Sequence, residues 1–302
     1  MTLRAGSRLE RVLHEGFAVT AEVVPPRGAD PAPLREQAEA LVGYADAVNV
    51  TDNPTSSAHM AALAGSAVVA QAGLEPVMQV TTRDRNRLAI TADLLGGWAM
   101  GARNLLCLTG NPVRAGDHPD AAEVYDLDVL ALVRLAVRLR DEGTLLSGRA
   151  LAVPPRYLVG VADVPLADPY DLGRLEAKLD AGADFVQTQI VYDVDALGEW
   201  AEGARARGIF ERAFVLVGVA PPRSASTARF MREHLRVAVP DAVVRRLEEA
   251  QDQESEGVAI AVDIVRGLRA IEGIAGVHVI GLGREAGVRR VIEDAGLLPR
   301  PG

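Results

Sequence analysis

Short runs rich in Val, Ile and Leu recur along the chain, each followed by a longer stretch whose apolar positions repeat with helical spacing. The runs fall at residues 17–24 (FAVTAEVV), 47–51, 75–82, 104–109, 157–162, 184–190, 214–219 and 276–281. Their length, their branched side chains and the Gly, Pro, Asp or Asn that bound them predict buried strands. The clearest helical segments are 33–43, 54–73, 85–101, 126–143 and 169–182. Several open near proline and end at glycine, as the missing N–H of one and the free φ of the other favour. Strand ends near 22, 51, 81, 109, 162, 189, 218 and 281 are mostly about 29 residues apart, enough for a strand, a helix and two short loops. The longer gaps, 109–162 and 218–281, leave room for an extended loop and an extra helix.

Eight such units predict an α/β fold, a (β/α)8 barrel in one domain over residues 1–302. A doubly wound open sheet is the rival, because periodicity does not report closure. Residues 1–16 read as a short leading helix and 299–302 as a frayed tail.

Composition narrows the function. Of 302 residues, 49% are hydrophobic and only 4% aromatic, so the core is aliphatic. A net charge of −9 argues against a nucleic-acid or anionic-membrane surface. Cys107 is the one cysteine, which excludes an intrachain disulfide and any centre needing several thiolates. Five scattered histidines give metal catalysis little support. No apolar run reaches the roughly 18–20 residues of a membrane span. The opening Met1-Thr2-Leu3-Arg4 lacks the apolar stretch of a secretory signal. The expectation is an acidic cytoplasmic enzyme.

Barrel chemistry sits at the C-terminal ends of strands. Glu22, inside the first strand, requires either a partner or a place at the barrel mouth, where a raised pKa would suit general-acid work. Thr51, Asp52 and Asn53 close the second strand, and Asn53 before Pro54 reads equally as a helix cap. Gln79 lies on the third strand, followed by Arg83, Arg85 and Arg87, which read as a phosphate cradle or as salt bridges. Thr109, Gly110 and Asn111 end the fourth, and His118 in the loop behind them reads as solvated. Gln187 and Gln189 alternate on the sixth strand, so both face one side and need hydrogen-bond partners such as a heteroaromatic ligand. Lys178 falls on the preceding helix, where a lone lysine is usually solvated.

Taken in order, these residues resemble the catalytic domain of the methylenetetrahydrofolate reductase family along nearly the whole chain. The matching pieces are Glu22-x-x-Pro25-Pro26, the Val-x-Val-Thr run ending at Thr51, the turn Leu108–Asn111, and Lys178-Leu179-Asp180-Ala181-Gly182-Ala183-Asp184 followed by Thr188-Gln189. The resemblance implies a flavin-containing barrel, with FAD or alternatively FMN. A reduced nicotinamide, NADH or NADPH, would supply hydride for conversion of 5,10-methylenetetrahydrofolate to 5-methyltetrahydrofolate. It further implies that Glu22 assists protonation of the folate and that Gln189 contacts folate or nicotinamide. Thr51, Asp171 and Lys178 match positions that hold the flavin, while Gln79 and Ala162 fall where relatives touch it. Gln187 and Thr227 join Gln189 as candidate substrate contacts, and Thr109 joins the flavin set.

The chain departs from the family pattern in the strand-four turn. Thr109 and Asn111 stand where Arg and Asp are usual; at an exposed site that exchange is trivial, whereas in a low-dielectric pocket loss of the aspartate weakens transition-state stabilisation. Thr227 and Met231 replace the common Gln and Phe. These changes resemble a divergent branch that works with accessory flavin or iron–sulfur subunits. The partners the resemblance implies are thus the folate substrate and either an accessory electron-transfer subunit or, since barrels of this family often self-associate, a second copy of the chain in a homo-oligomer. The rival readings are a non-redox barrel binding folate or a corrinoid partner, and a lyase using Lys178 as a Schiff base.

Overall fold

The computed structural model describes residues 3–281 and 283–301; Met1 and Thr2 of the leading segment and Gly302 of the tail lie outside the described residues. The chain runs α1 (Arg8–Glu15), β1 (Ala18–Val23), α2 (Ala32–Leu41), β2 (Ala47–Val50), α3 (Ala62–Gln71), β3 (Pro76–Thr81), α4 (Arg87–Ala99) and β4 (Asn104–Leu108). It continues α5 (Val129–Asp141), β5 (Leu158–Asp163), α6 (Leu172–Asp180), β6 (Phe185–Ile190), α7 (Val194–Ala206) and β7 (Phe214–Val219). Then come α8 (Ala225–His234), α9 (Asp241–Glu249), α10 (Gln253–Leu268), β8 (Ile274–Val279) and α11 (Glu285–Asp294). All eight strands pair in parallel and in order, and β1 pairs with β8 to close the ring. The fold is a (β/α)8 barrel, not the open sheet.

Three sequence expectations need correction. The helix expected over 54–73 begins only at Ala62. Residues 54–56 form a single 3₁₀ turn, and Asn53, Thr55 and Ser56 take left-handed φ values of 48°, 54° and 57°, which no α-helix accommodates. Asn53 is accordingly no side-chain cap: it donates to Asp84 at 3.3 Å and accepts from His59 N at 3.1 Å. The 218–281 gap holds three helices, two more than the unit requires. The residues expected to fray at the C-terminus are tied down, with the Arg300 guanidinium bonded to the buried Asp46 at 2.5 Å and to Phe17 O at 2.8 Å.

Two hydrophobic layers hold the barrel. Between strands and helices lies an aliphatic core in which Leu34, Leu94, Leu135 and Leu268 are fully buried. Inside the barrel, a smaller cluster of Ala18, Val77, Leu106, Phe185 and Leu216 is capped by Leu9, Val12 and Leu13 of α1. Gly160 on β5 makes that cluster possible, since a Cβ there would collide with the Phe185 ring.

Above this apolar floor the interior turns polar. Asn49 and Gln187 exchange hydrogen bonds across the barrel, Asn49 Nδ2 to Gln187 Oε1 at 2.7 Å and Gln187 Nε2 to Asn49 Oδ1 at 3.2 Å. Gln187 also donates to Thr20 Oγ1 at 3.3 Å, and Thr20 Oγ1 lies 3.0 Å from His278 Nδ1. Burial pushes the His278 imidazole down to about 4, so it is neutral near pH 7. This belt is the floor on which the mouth is built.

Candidate active site

Glu22 lies on the same face of β1 as Ala18 and Thr20, which point into the barrel, and it is in register with Asn49. Among the described residues its carboxyl has no hydrogen-bond or ion-pair partner. It keeps limited access to the mouth, yet burial raises it from 4.5 to about 7. An unpaired carboxyl of that kind is about half protonated at pH 7, which suits a proton donor.

A cleft of about 680 Å³ opens beside the mouth between the β5–α6 loop and the segment following α8. Its volume lies within the usual range for small-molecule sites. Four of the sequence-named residues line it: Ala162, Asp171, Lys178 and Gln189. Lys178 is not the solvated helix lysine its position suggested. It reaches from α6 back to the end of β5, where Nζ donates to Ala162 O at 2.6 Å. Asp171 caps α6 by accepting from Gly173 N at 3.0 Å, and it faces the cleft as well. Gln189 folds back so that its Oε1 accepts from Ile190 N at 3.0 Å, leaving its NH₂ as donor.

The other named residues fall outside the cleft. Gln79 is an inward position on β3 whose amide has no partner among the described residues. Thr51, 4% exposed, has a buried hydroxyl oxygen with no hydrogen-bond partner among the described residues. Gln187 is satisfied within the polar belt rather than free for a ligand. Thr227 belongs to the first turn of α8, its hydroxyl 3.0 Å from the cap residue Ser224. Thr109 and Asn111 are exposed. Of the two settings considered for Asn111 this is the exposed one, and only its backbone oxygen is engaged, by Ser56 Oγ at 2.9 Å and Arg83 Nη1 at 3.2 Å.

The phosphate-cradle alternative for Arg83, Arg85 and Arg87 also fails. Arg83 pairs with Asp84 at 2.6 Å, Arg85 with Asp52 and Asp93, and Arg87 with Asp126 at 2.8 Å. Cleft residues that the sequence reading missed are Asp163, Tyr170, Arg232 and Arg236. Asp163 was one residue beyond the expected strand end, while the arginines arrive from a segment with no motif. Among the described residues, no group of three or more His, Cys, Asp or Glu comes together as a metal site. No described helix is long and apolar enough to cross a membrane.

The sequence model of one family, described as "Methylenetetrahydrofolate reductase", matches residues 8–296. The chain belongs to that family. Methylenetetrahydrofolate reductase 1 of Schizosaccharomyces pombe is 27% identical over 74% of this chain and 36% of its own length. The probable NADPH-type enzyme of Caenorhabditis elegans is 24% identical over 96% of this chain and 40% of its own. The chain thus spans less than half the length of these methylenetetrahydrofolate reductases. The 5,10-methylenetetrahydrofolate reductase of Pectobacterium carotovorum is 24% identical over 70% of this chain and 66% of its own. Among solved structures, a Clostridium thermocellum protein described as binding two copies of 5-methyl-5,6,7,8-tetrahydrofolic acid superposes with a TM-score of 0.67. It is 14% identical, with 97% of this chain and 99% of that one covered, a likeness of fold.

The family is one of flavin enzymes, and the residues present are compatible with a flavin. Of the cleft's cationic side chains, Arg232 is paired with Asp241 at 2.7 Å, Arg174 lies 3.8 Å from Asp171 and Lys178 3.4 Å from Asp163. Arg236 has no ion-pair partner among the described residues and is the one left to meet a phosphate. The Thr51 hydroxyl is a buried polar atom still lacking a partner among the described residues.

Proposed function

We propose that this chain is a flavin-dependent reductase barrel that converts 5,10-methylenetetrahydrofolate to 5-methyltetrahydrofolate with electrons from NADH or NADPH. The observation that carries the reading is Glu22, an unpaired inward carboxyl raised to about 7 in a barrel of this family. In this reading Ala162, Asp171 and Lys178 hold FAD in the cleft, with Thr51, Gln79 and Thr109 completing the contacts across the mouth. A flavin held by these residues would supply the two-electron chemistry that links the nicotinamide to the folate carbon.

The chain's own residues do the rest. The neutral Glu22 carboxyl gives its proton to the folate nitrogen as the five-membered ring opens, and burial keeps that proton available near pH 7. The amide of Gln189 orients a planar ring against the flavin position, and the apolar barrel below excludes water. Residues 1–302 act as one catalytic barrel in the cytoplasm.

The test is spectroscopic. Purified protein should take up FAD, lose the yellow colour under NADH or NADPH without oxygen, and regain it when 5,10-methylenetetrahydrofolate is added. Glu22→Gln should keep the first half-reaction and lose at least about a hundredfold in the second. Equal loss in both would make the carboxyl structural, and protein that takes up neither FAD nor FMN sinks the reading.

The departures from the family pattern at Thr109, Asn111, Thr227 and Met231 favour a second reading, in which this divergent barrel receives electrons from an accessory subunit. In that case the flavin binds and reacts with folate but is not reduced by NADH or NADPH.

A further inference from the structure

Lys178 is held in a way its helix position does not require. Besides donating to Ala162 O at 2.6 Å, its Nζ stands 3.4 Å from Asp163 Oδ1. The other Asp163 oxygen accepts from the Tyr170 hydroxyl at 2.9 Å. Asp163 is 6% exposed, and Lys178, Asp163 and Tyr170 all face the same cleft. The Tyr170 ring is fixed in turn by an edge-on contact with Trp200, centroids 6.5 Å apart.

A lysine on an exposed helix ordinarily spreads over many rotamers, and ordering it is costly in entropy. Here two of its three N–H donors are directed at fixed acceptors, an arrangement that removes most of that freedom before any ligand arrives. Burial pushes the Tyr170 phenol up, so it remains a donor to Asp163 across the neutral range.

We propose that Asp163, anchored by Tyr170, is the positioning residue for Lys178: it holds the ammonium at the end of β5 with one N–H left for an acceptor on the cofactor. The proposal rests on the flavin reading above. Asp163 does not touch the cofactor in this scheme; it acts through Lys178. The carboxylate also offsets the lysine charge locally. Its contribution is therefore to orientation rather than to attraction of phosphate, and the two have opposite signs when the carboxylate is removed.

The experiment is a double-mutant cycle on FAD affinity, read by fluorescence titration of the full chain: wild type, Asp163→Ala, Lys178→Met and the double variant. Each single change should weaken binding about tenfold, and the double should be no weaker than Lys178→Met alone. Asp163→Asn, which keeps an acceptor oxygen for the lysine and Tyr170, should recover part of the loss. It also serves if the alanine variant does not fold. Additive losses, or Asp163→Ala and Asp163→Asn binding as tightly as wild type or more tightly, overturn the proposal. Wild-type protein that binds neither FAD nor FMN overturns the flavin reading and this inference with it, and is distinguished by requiring no variant at all.

Discussion

At the scale of single residues, Glu22 couples the chemistry to stability. A carboxyl at about 7 in the folded chain and 4.5 unfolded retains its proton between those values while the unfolded chain has lost it. Wild-type stability therefore falls as pH rises through that window. His278 works in the opposite direction: unfolded, it takes a proton below 6.5, but folded only near 4, so its contribution is lost as pH falls. Comparing wild type with Glu22→Gln cancels the histidine and isolates the carboxyl. We expect the glutamine variant to be more stable by on the order of 3 kcal/mol at pH 8 and equal near pH 4. Urea unfolding at the two pH values measures this, and a gap that does not change with pH would mean that the folded carboxyl titrates like a solvated one. The sequence made Glu22 conspicuous because an acid inside an apolar strand demands an explanation. It did not make Asp163 conspicuous, because a carboxylate at a strand end is commonplace until a lysine is seen to reach it.

At the scale of elements, the strand–helix period was readable because burial on both faces requires short aliphatic runs, and β7 lies where that pattern put it, at Phe214–Val219. The false start of the helix at residue 54 was not readable. The segment is proline-led like the other helix starts and runs without a break into the apolar stretch of α3, and the left-handed backbone at Asn53, Thr55 and Ser56 keeps it from coiling. Alternation placed Gln187 and Gln189 on one face, but local pattern holds no record of a partner 138 residues away. That partner decides what Gln187 does. Asn49 is 1% exposed and Gln187 3%, so each amide depends on the other. Gln187→Leu should lower stability by about 2–3 kcal/mol by leaving the Asn49 amide buried and short of partners. Asn49→Leu combined with Gln187→Leu should recover part of that loss, because two apolar groups strand no donor. Denaturant midpoints decide it: a single variant as stable as wild type would mean that water satisfies the belt.

At the scale of the whole molecule, ring closure brings the two ends of the chain together, and this is where the sequence was least informative. Local rules read residues 299–302 as a tail because Pro-Arg-Pro-Gly has no periodicity. The barrel, however, places Asp46 under β1, where its Oδ2 accepts from Val19 N at 2.8 Å and the carboxylate is wholly shielded from solvent. Such a charge needs a cation of equal burial, and Arg300, with a side chain 5% exposed, supplies it from the far end of the chain. Arg8 approaches the same carboxylate only at 3.5 Å, with its guanidinium 26% exposed, and it also donates to Pro301 O at 2.7 Å. The two arginines thus close the bottom of the barrel unequally. Arg300→Ala should destabilise the protein by about 3 kcal/mol, because it leaves Asp46 buried with its weaker partner. Arg8→Ala should remove less than about 1 kcal/mol, because its contact with Asp46 is long, its guanidinium keeps solvent access and Arg300 still neutralises the carboxylate. Truncation after Leu298 should reproduce the Arg300→Ala loss in urea unfolding. If instead the truncated chain is as stable as wild type, Arg8 alone satisfies the carboxylate and the C-terminal strap carries no structural load.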